Sequence, residues 1–161
     1  MKYFVLDVDG VMTTGQFLYN EDGKAYKVFG PHDSDGLKMV RDVMDVQFIT
    51  ADKRGFAISK KRITDDMGYE LEVVGEAERF AFFEKLGLDE VIYMGDGFHD
   101  AKVLRHCAYG IAPANGRIEA RNAADYVTPS NSGEGAVLDA CLEILKQFFP
   151  EKHKEVLARL E

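Results

Sequence analysis

Residues 3–15 read YFVLDVDGVMTTG, an apolar run that carries two acids, Asp7 and Asp9. Phe4, Val5, Leu6, Val8 and Val11 mark a strand buried on both faces, as in a parallel sheet covered by helices. Charge inside such a run is costly to bury unless something pairs with it. The two aspartates therefore belong at the strand's carboxyl end, where the chain leaves the core. Gly10 follows them and lets backbone amides come close to a ligand.

The rest of the chain repeats the pattern. Apolar runs "VQFIT" from Val46, "LEVVG" from Leu71, "VIYMGD" from Val91 and "YGIA" from Tyr109 read as further buried strands. Helical periodicity fills the intervals over 34–44, 56–67, 76–86, 99–107 and 116–123. A last helix over 135–149 carries Val137, Leu138, Leu142, Leu145 and Phe149 at helical spacing. Strand and helix in alternation predict a doubly wound, Rossmann-like α/β core with a parallel sheet. One segment breaks the rhythm: GQFLYNEDGKAYKVFG, residues 15–30, has two alternating runs joined by a turn at Asp22-Gly23. It predicts a β-hairpin over 16–29, inserted directly after the first strand. A single domain over 1–150 and a charged tail over 151–161 complete the expected organisation.

Composition excludes several classes. The chain has 161 residues, 46% hydrophobic and 30% charged, which suits one globular domain. A net charge of −8 argues against nucleic-acid binding through a general basic surface. An anionic substrate stays open, because the field at a site can oppose the net charge. No window approaches the roughly 18–20 apolar residues of a membrane span. The chain opens on its first strand without a leader pattern, and Cys107 and Cys141 lack metal-type spacing. Both features set the cytoplasm as the expected compartment.

Ligands of open α/β sheets bind beyond the carboxyl ends of the strands. There the sequence places Asp7 and Asp9, then Thr50, then Arg79 at a helix start, then Asp96 with Asp100 four residues on. Each has a plain alternative: a turn for DxDG or Asp96-Gly97, a helix cap for Thr50, a solvated helix position for Arg79. Asp33 or Ser34 suits an N-cap as well as a substrate contact. Together, however, the carboxylates would repel one another and raise each other's pKa values. A divalent cation resolves that conflict, and oxygen-only ligands favour Mg²⁺. With a hydroxyl and a guanidinium added, the set suits phosphoryl transfer, in which an aspartate can serve as nucleophile and a second acid can move the proton.

DVDG on the first strand, a threonine after the second, a basic residue opening a helix and GDGFHD after the fourth resemble the haloacid dehalogenase superfamily. DVDGVMTTG, the immediate hairpin, KVFGPHDSDGLKMV and the late NSGEGAV resemble one branch of it. That branch holds the 3-deoxy-D-manno-octulosonate 8-phosphate phosphatases and their nonulosonate 9-phosphate relatives. The resemblance implies a phosphatase with no large cap domain, Asp7 as nucleophile and Asp9 as general acid/base. It implies Mg²⁺ held by Asp7, the Asp9 carbonyl and Asp96, with Asp100 supporting the metal shell. Thr50 and Arg79 would bind the phosphoryl group. The implied assembly is a homotetramer whose neighbouring subunit closes the active site; Gly133 and Gly135 would border a neighbour's active site, or simply start the last helix.

The chain departs from the branch in three places. Arg79 stands where lysine is usual, with Lys85 as the other basic residue of that helix. ADKRG follows Thr50 where Gly-Arg is usual, and GDGFHD has Gly97 and His99 where aspartate and asparagine are common. Lys53, Arg54 and His99 are thus the candidates for contact with the rest of the substrate. The expected substrate is a small sugar phosphate, led by an eight- or nine-carbon 2-keto-3-deoxy acid. The alternatives are another phosphorylated metabolite, or a non-catalytic assembly domain that keeps the fold.

Overall fold

A computed structural model describes all 161 residues. Six parallel strands form the central sheet: β1 (Tyr3–Asp7), β4 (Asp45–Thr50), β5 (Glu70–Val73), β6 (Val91–Met94), β7 (Tyr109–Ala112) and β8 (Tyr126–Val127). Their order is β5-β4-β1-β6-β7-β8, so the strand carrying the two acids lies inside the sheet between β4 and β6. The hairpin of β2 (Thr13–Asn20) and β3 (Gly23–Phe29) forms a separate antiparallel pair. Its first strand starts three residues before the predicted hairpin.

Alternation along β1 divides the core in two. Phe4 and Leu6 pack on one face with Ile92 and Met94 of β6, beneath α1 (Asp33–Val40) and α6 (Ala136–Phe148). Val5 packs on the other with Val91 and Tyr93, beneath α3 (Arg79–Leu86), α4 (Ala101–His106) and α5 (Ile118–Ala123). Asp7 continues the Val5 side, because side chains two apart share a face. That parity aims its carboxylate toward the start of α3. The register Asp7↔Ile49 aligns the ends of β1 and β4 and keeps Thr50 close by.

Helix boundaries differ from the periodicity at specific residues. α3 begins at Arg79, three residues late, because Gly75–Glu78 is spent on a turn closed by the Glu78 N–H on the Gly75 carbonyl at 3.2 Å. α2 (Phe56–Lys60) runs on as a π-helical segment, Lys61–Asp66. The charged tail is ordered as α7 (Pro150–Ala158), which starts on proline, a residue suited to the first turn, and buries Val156. Gly133, at φ +69, lies against the backbone of Thr13 and Thr14, so the NSGEGAV loop braces the hairpin base of its own chain. No helix is long and apolar enough to cross a membrane.

Candidate active site

The chain turns sharply after β1. Gly10 takes a positive φ of +82, and the backbone N–H groups of Gly10 and Gly15 both donate to Thr13 Oγ1, at 3.0 and 3.1 Å. The turn leaves Asp7 buried at the strand tip, where the Val8 N–H donates to its Oδ1 at 2.9 Å. A Cβ on Gly10 would run into the Asp96 carboxylate, so glycine is what lets the loops after β1 and β6 meet.

Arg79 enters this cluster from the first turn of α3 and is only 4% exposed. Its Nη1 donates to Asp7 Oδ2 at 3.3 Å and pairs closely with Asp100 Oδ1. The Tyr93 hydroxyl donates to the same Asp100 oxygen at 2.6 Å. Burial works against the Arg79 charge, but Tyr93, Asp7 and Asp100 outweigh it, and its pKa lies above the ordinary value. The other Asp100 oxygen accepts the N–H groups of Asp96 (3.1 Å) and Gly97 (2.8 Å), which shapes the loop that presents Asp96. Asp100 is thus fully used in positioning its neighbours.

Burial pushes the Asp7 carboxyl well above the usual carboxylate range, with Arg79 opposing and the other acids adding to the rise. Burial, then the charge of Asp100, pushes Asp96 up to about 7. Oxygens of Asp7, Asp96 and Asp100 all lie within 4.8 Å of one another. Such an all-oxygen set, under mutual repulsion and facing an open cleft, fits a hard divalent cation such as Mg²⁺.

Asp9 sits on the other side of the cleft in a second cluster. The Thr50 hydroxyl donates to Asp9 Oδ2 at 3.2 Å, and Thr50 is wholly buried beneath it. Lys27 Nζ lies 2.7 Å from Asp9 Oδ1 and 2.8 Å from Asp52 Oδ2. Lys24 Nζ pairs with Asp52 Oδ1 at 2.7 Å and lies 3.5 Å from the Phe17 ring centroid. Burial opposes ionisation of Asp52, but hydrogen bonds from Lys24 and Lys27 pull its carboxyl down to about 2. The sequence reading missed Lys24, Lys27 and Asp52. The one available signal is strand alternation, which sets Lys27 opposite Tyr26 and Val28 without showing which side faces the domain.

The two clusters wall a cleft of about 380 Å³ that also takes in Phe17, Glu76, Phe98 and His99. His99 Nε2 stands 3.1 Å from Glu76 Oε2 across the rim. Asp7, Asp9, Arg79, Asp96, Asp100 and His99 are all brought to this cleft, with Thr50 directly behind Asp9. Lys53 and Arg54 are not. The Gly55 N–H donates to Asp52 Oδ1 at 3.1 Å, a turn that sends Asp52 inward and leaves Lys53 and Arg54 exposed. Lys53 lines a separate groove beside β5, as does Lys85, so Arg79 is the basic residue of α3 that reaches the acids.

Residues 76–140 match the family model of the haloacid dehalogenase-like hydrolases. The 3-deoxy-D-manno-octulosonate 8-phosphate phosphatase of Haemophilus influenzae is 33% identical over 142 residues, which span 84% of this chain and 78% of that protein. The enzyme of the same name from Moraxella catarrhalis, solved with a magnesium ion, a phosphate ion and a KDO molecule, superposes with a TM-score of 0.82. It is 28% identical, and the match covers all of this chain and 94% of the other. A cobalt-bound structure of the Haemophilus influenzae phosphatase gives a TM-score of 0.76 at 31% identity, over 91% and 88% of the two chains.

Proposed function

The chain belongs to the haloacid dehalogenase-like hydrolases, among the sugar phosphate phosphatases of that group, and we propose that it hydrolyses 3-deoxy-D-manno-octulosonate 8-phosphate through an aspartyl-phosphate. The supporting observation is the Asp7–Arg79–Asp100–Asp96 cluster at the carboxyl end of β1, with Asp9 across the same cleft.

In this mechanism an Asp7 carboxylate oxygen attacks phosphorus while the bond to the sugar oxygen breaks. Asp9 gives its proton to that leaving oxygen, then takes one from the water that releases phosphate from Asp7. Arg79 holds Asp7 in line, and its charge lies beside the transferring group. Thr50, whose hydroxyl donates to Asp9 Oδ2, would stay behind Asp9 and reach a phosphoryl oxygen only through rotation of that hydroxyl once substrate enters. The carboxylates of Asp7 and Asp96 and the Asp9 carbonyl would hold Mg²⁺, which would supply the positive charge needed for these carboxylates and the phosphoryl oxygens to share one site. Asp100 keeps Asp96 and Arg79 in register.

The sugar end would meet the rim, where Lys24, Phe17, Phe98 and His99 are the groups at hand. Lys24 and His99 are the candidates to meet a substrate carboxylate, in place of Lys53 and Arg54. On the outer side of the hairpin, Leu18, Tyr26 and Val28 are exposed together, with Tyr19 exposed beside them. Such a patch suits burial against further copies of the chain, consistent with a cytoplasmic homotetramer in which a neighbour closes the cleft.

Phosphate release from a panel of sugar phosphates, with Mg²⁺ and with EDTA, tests the proposal. Metal-dependent turnover that favours the eight-carbon keto acid over hexose phosphates and the nine-carbon acid is the expected result. Preference for a phosphate without the carboxylate would overturn the substrate, and inactivity throughout would overturn the reaction.

A further inference from the structure

Lys27 is the exception in its strand. Its neighbours Tyr26 and Val28 face solvent, while the Lys27 side chain has no exposed surface at all. Lysines on surface hairpins ordinarily carry the ammonium to water, because burying it is costly. Here three oxygens from three elements surround it: Asp9 Oδ1 from the loop after β1 (2.7 Å), Asp52 Oδ2 from the loop after β4 (2.8 Å) and Ser59 Oγ from α2 (2.7 Å). Its hydrogen bond goes to Ser59 and its two ion pairs to Asp9 and Asp52, so the ammonium is committed to groups of its own chain. With Thr50 on Asp9 Oδ2, both oxygens of the Asp9 carboxylate are then held.

From this geometry, and resting on the acid/base assignment of Asp9 above, we infer that Lys27 is a positioning residue that orients the Asp9 carboxylate for proton transfer and makes the inserted hairpin part of the catalytic apparatus. Asp52 is what allows the arrangement to last through both halves of the reaction. It pairs with Lys27 independently of Asp9, and Lys24 anchors it from the other side. The hairpin thereby takes over within one chain a task of orientation that a separate lid would otherwise perform.

The discriminating property is dependence on the leaving group. When the Asp7 oxygen displaces a sugar alkoxide, the P–O electron pair goes to an oxygen that needs the Asp9 proton. A nitrophenolate departs without it, and only the later attack of water on the phosphorylated Asp7 needs Asp9, now as base. Lys27→Gln retains a donor for folding and removes the charge, and Lys27→Met removes both. For Lys27→Gln, kcat on the sugar phosphate should fall about 100-fold with KM within about threefold. Nitrophenyl phosphate should still give a rapid burst of nitrophenol within about tenfold of the wild-type rate, followed by slow turnover. Lys27→Arg should recover part of the loss. Equal losses on both substrates, a loss carried by KM, or no loss at all would each overturn the positioning role. A wild-type protein inert toward both substrates would instead overturn the phosphatase mechanism itself.

Discussion

Replacing Arg79 by methionine would remove the one cation that touches Asp7 and Asp100 directly. The guanidinium is 4% exposed, and its two carboxylate partners are 7% and 1% exposed, so no solvent can take its place cheaply. Breaking a buried ion pair by deleting one partner costs about 3–5 kcal/mol. For a chain of this length each kcal/mol lowers the melting temperature by about 2–4 °C, which gives a fall of about 6–20 °C. The loss should be larger in EDTA than in Mg²⁺, since a cation beside Asp7 and Asp96 restores part of the missing charge. Activity should fall at least about 100-fold, the usual effect of deleting one electrostatic stabiliser of a transition state. Both contacts come from one nitrogen, Nη1, so Arg79→Lys, which keeps one charged nitrogen on a shorter side chain, should retain activity within about tenfold. Thermal melts with and without Mg²⁺, paired with phosphate-release kinetics, read these effects. An Arg79→Met protein that melts within about 2 °C of wild type and turns over normally would refute the reasoning.

Asp7→Asn should abolish turnover by at least about 1,000-fold while circular dichroism shows a folded chain, because an amide cannot form the aspartyl phosphate. Gly10→Ala places a Cβ against the Asp96 carboxylate at a backbone φ of +82, and should weaken magnesium binding in titration calorimetry while costing about 1–3 kcal/mol of stability. The folded-state pKa of Asp96, near 7, lies above its unfolded value, so the metal-free protein binds more protons than the unfolded chain and loses stability as pH rises toward and through 7. Melting temperature in EDTA should therefore fall between pH 5.5 and 8, and saturating Mg²⁺, which favours the ionised carboxylate, should shrink that fall. Asp52 runs the other way: its carboxyl is held at about 2, so its contribution is present above pH 4 and disappears as pH falls toward 2. Asp52→Asn should flatten the acid limb of the stability profile.

The inner strands were readable because they are buried on both faces and so appear as unbroken apolar runs, Tyr109–Ala112 residue for residue, whereas the edge strand β5, which LEVVG marked as buried, leaves Glu70, Glu72 and Val73 exposed. β8 is only two residues long, too short for any periodicity to register. Asp7, Asp9, Asp96 and Asp100 were readable for a related reason: acids that end an apolar run stand at the rim of the sheet. Arg79 followed from its distance to Gly75. Lys27 could not be found the same way, because alternation shows only that it opposes Tyr26 and Val28. The usual inference puts Tyr26 and Val28 inward, and β3 does the reverse at these three residues. Lys53 and Arg54 lie outside the cleft for a local reason, the turn at Asp52–Gly55, which presents the acid and turns the two cations out.

The nucleophile assignment is open to a direct test. The Asp9→Asn variant, which cannot activate water, would be mixed with nitrophenyl phosphate and Mg²⁺, quenched in acid within one turnover, digested and read by mass spectrometry. The mechanism predicts a phosphoryl group on the peptide that contains Asp7, absent in the Asp7→Asn,Asp9→Asn double variant. Stoichiometric nitrophenol release with no phosphoryl group on that peptide would contradict it.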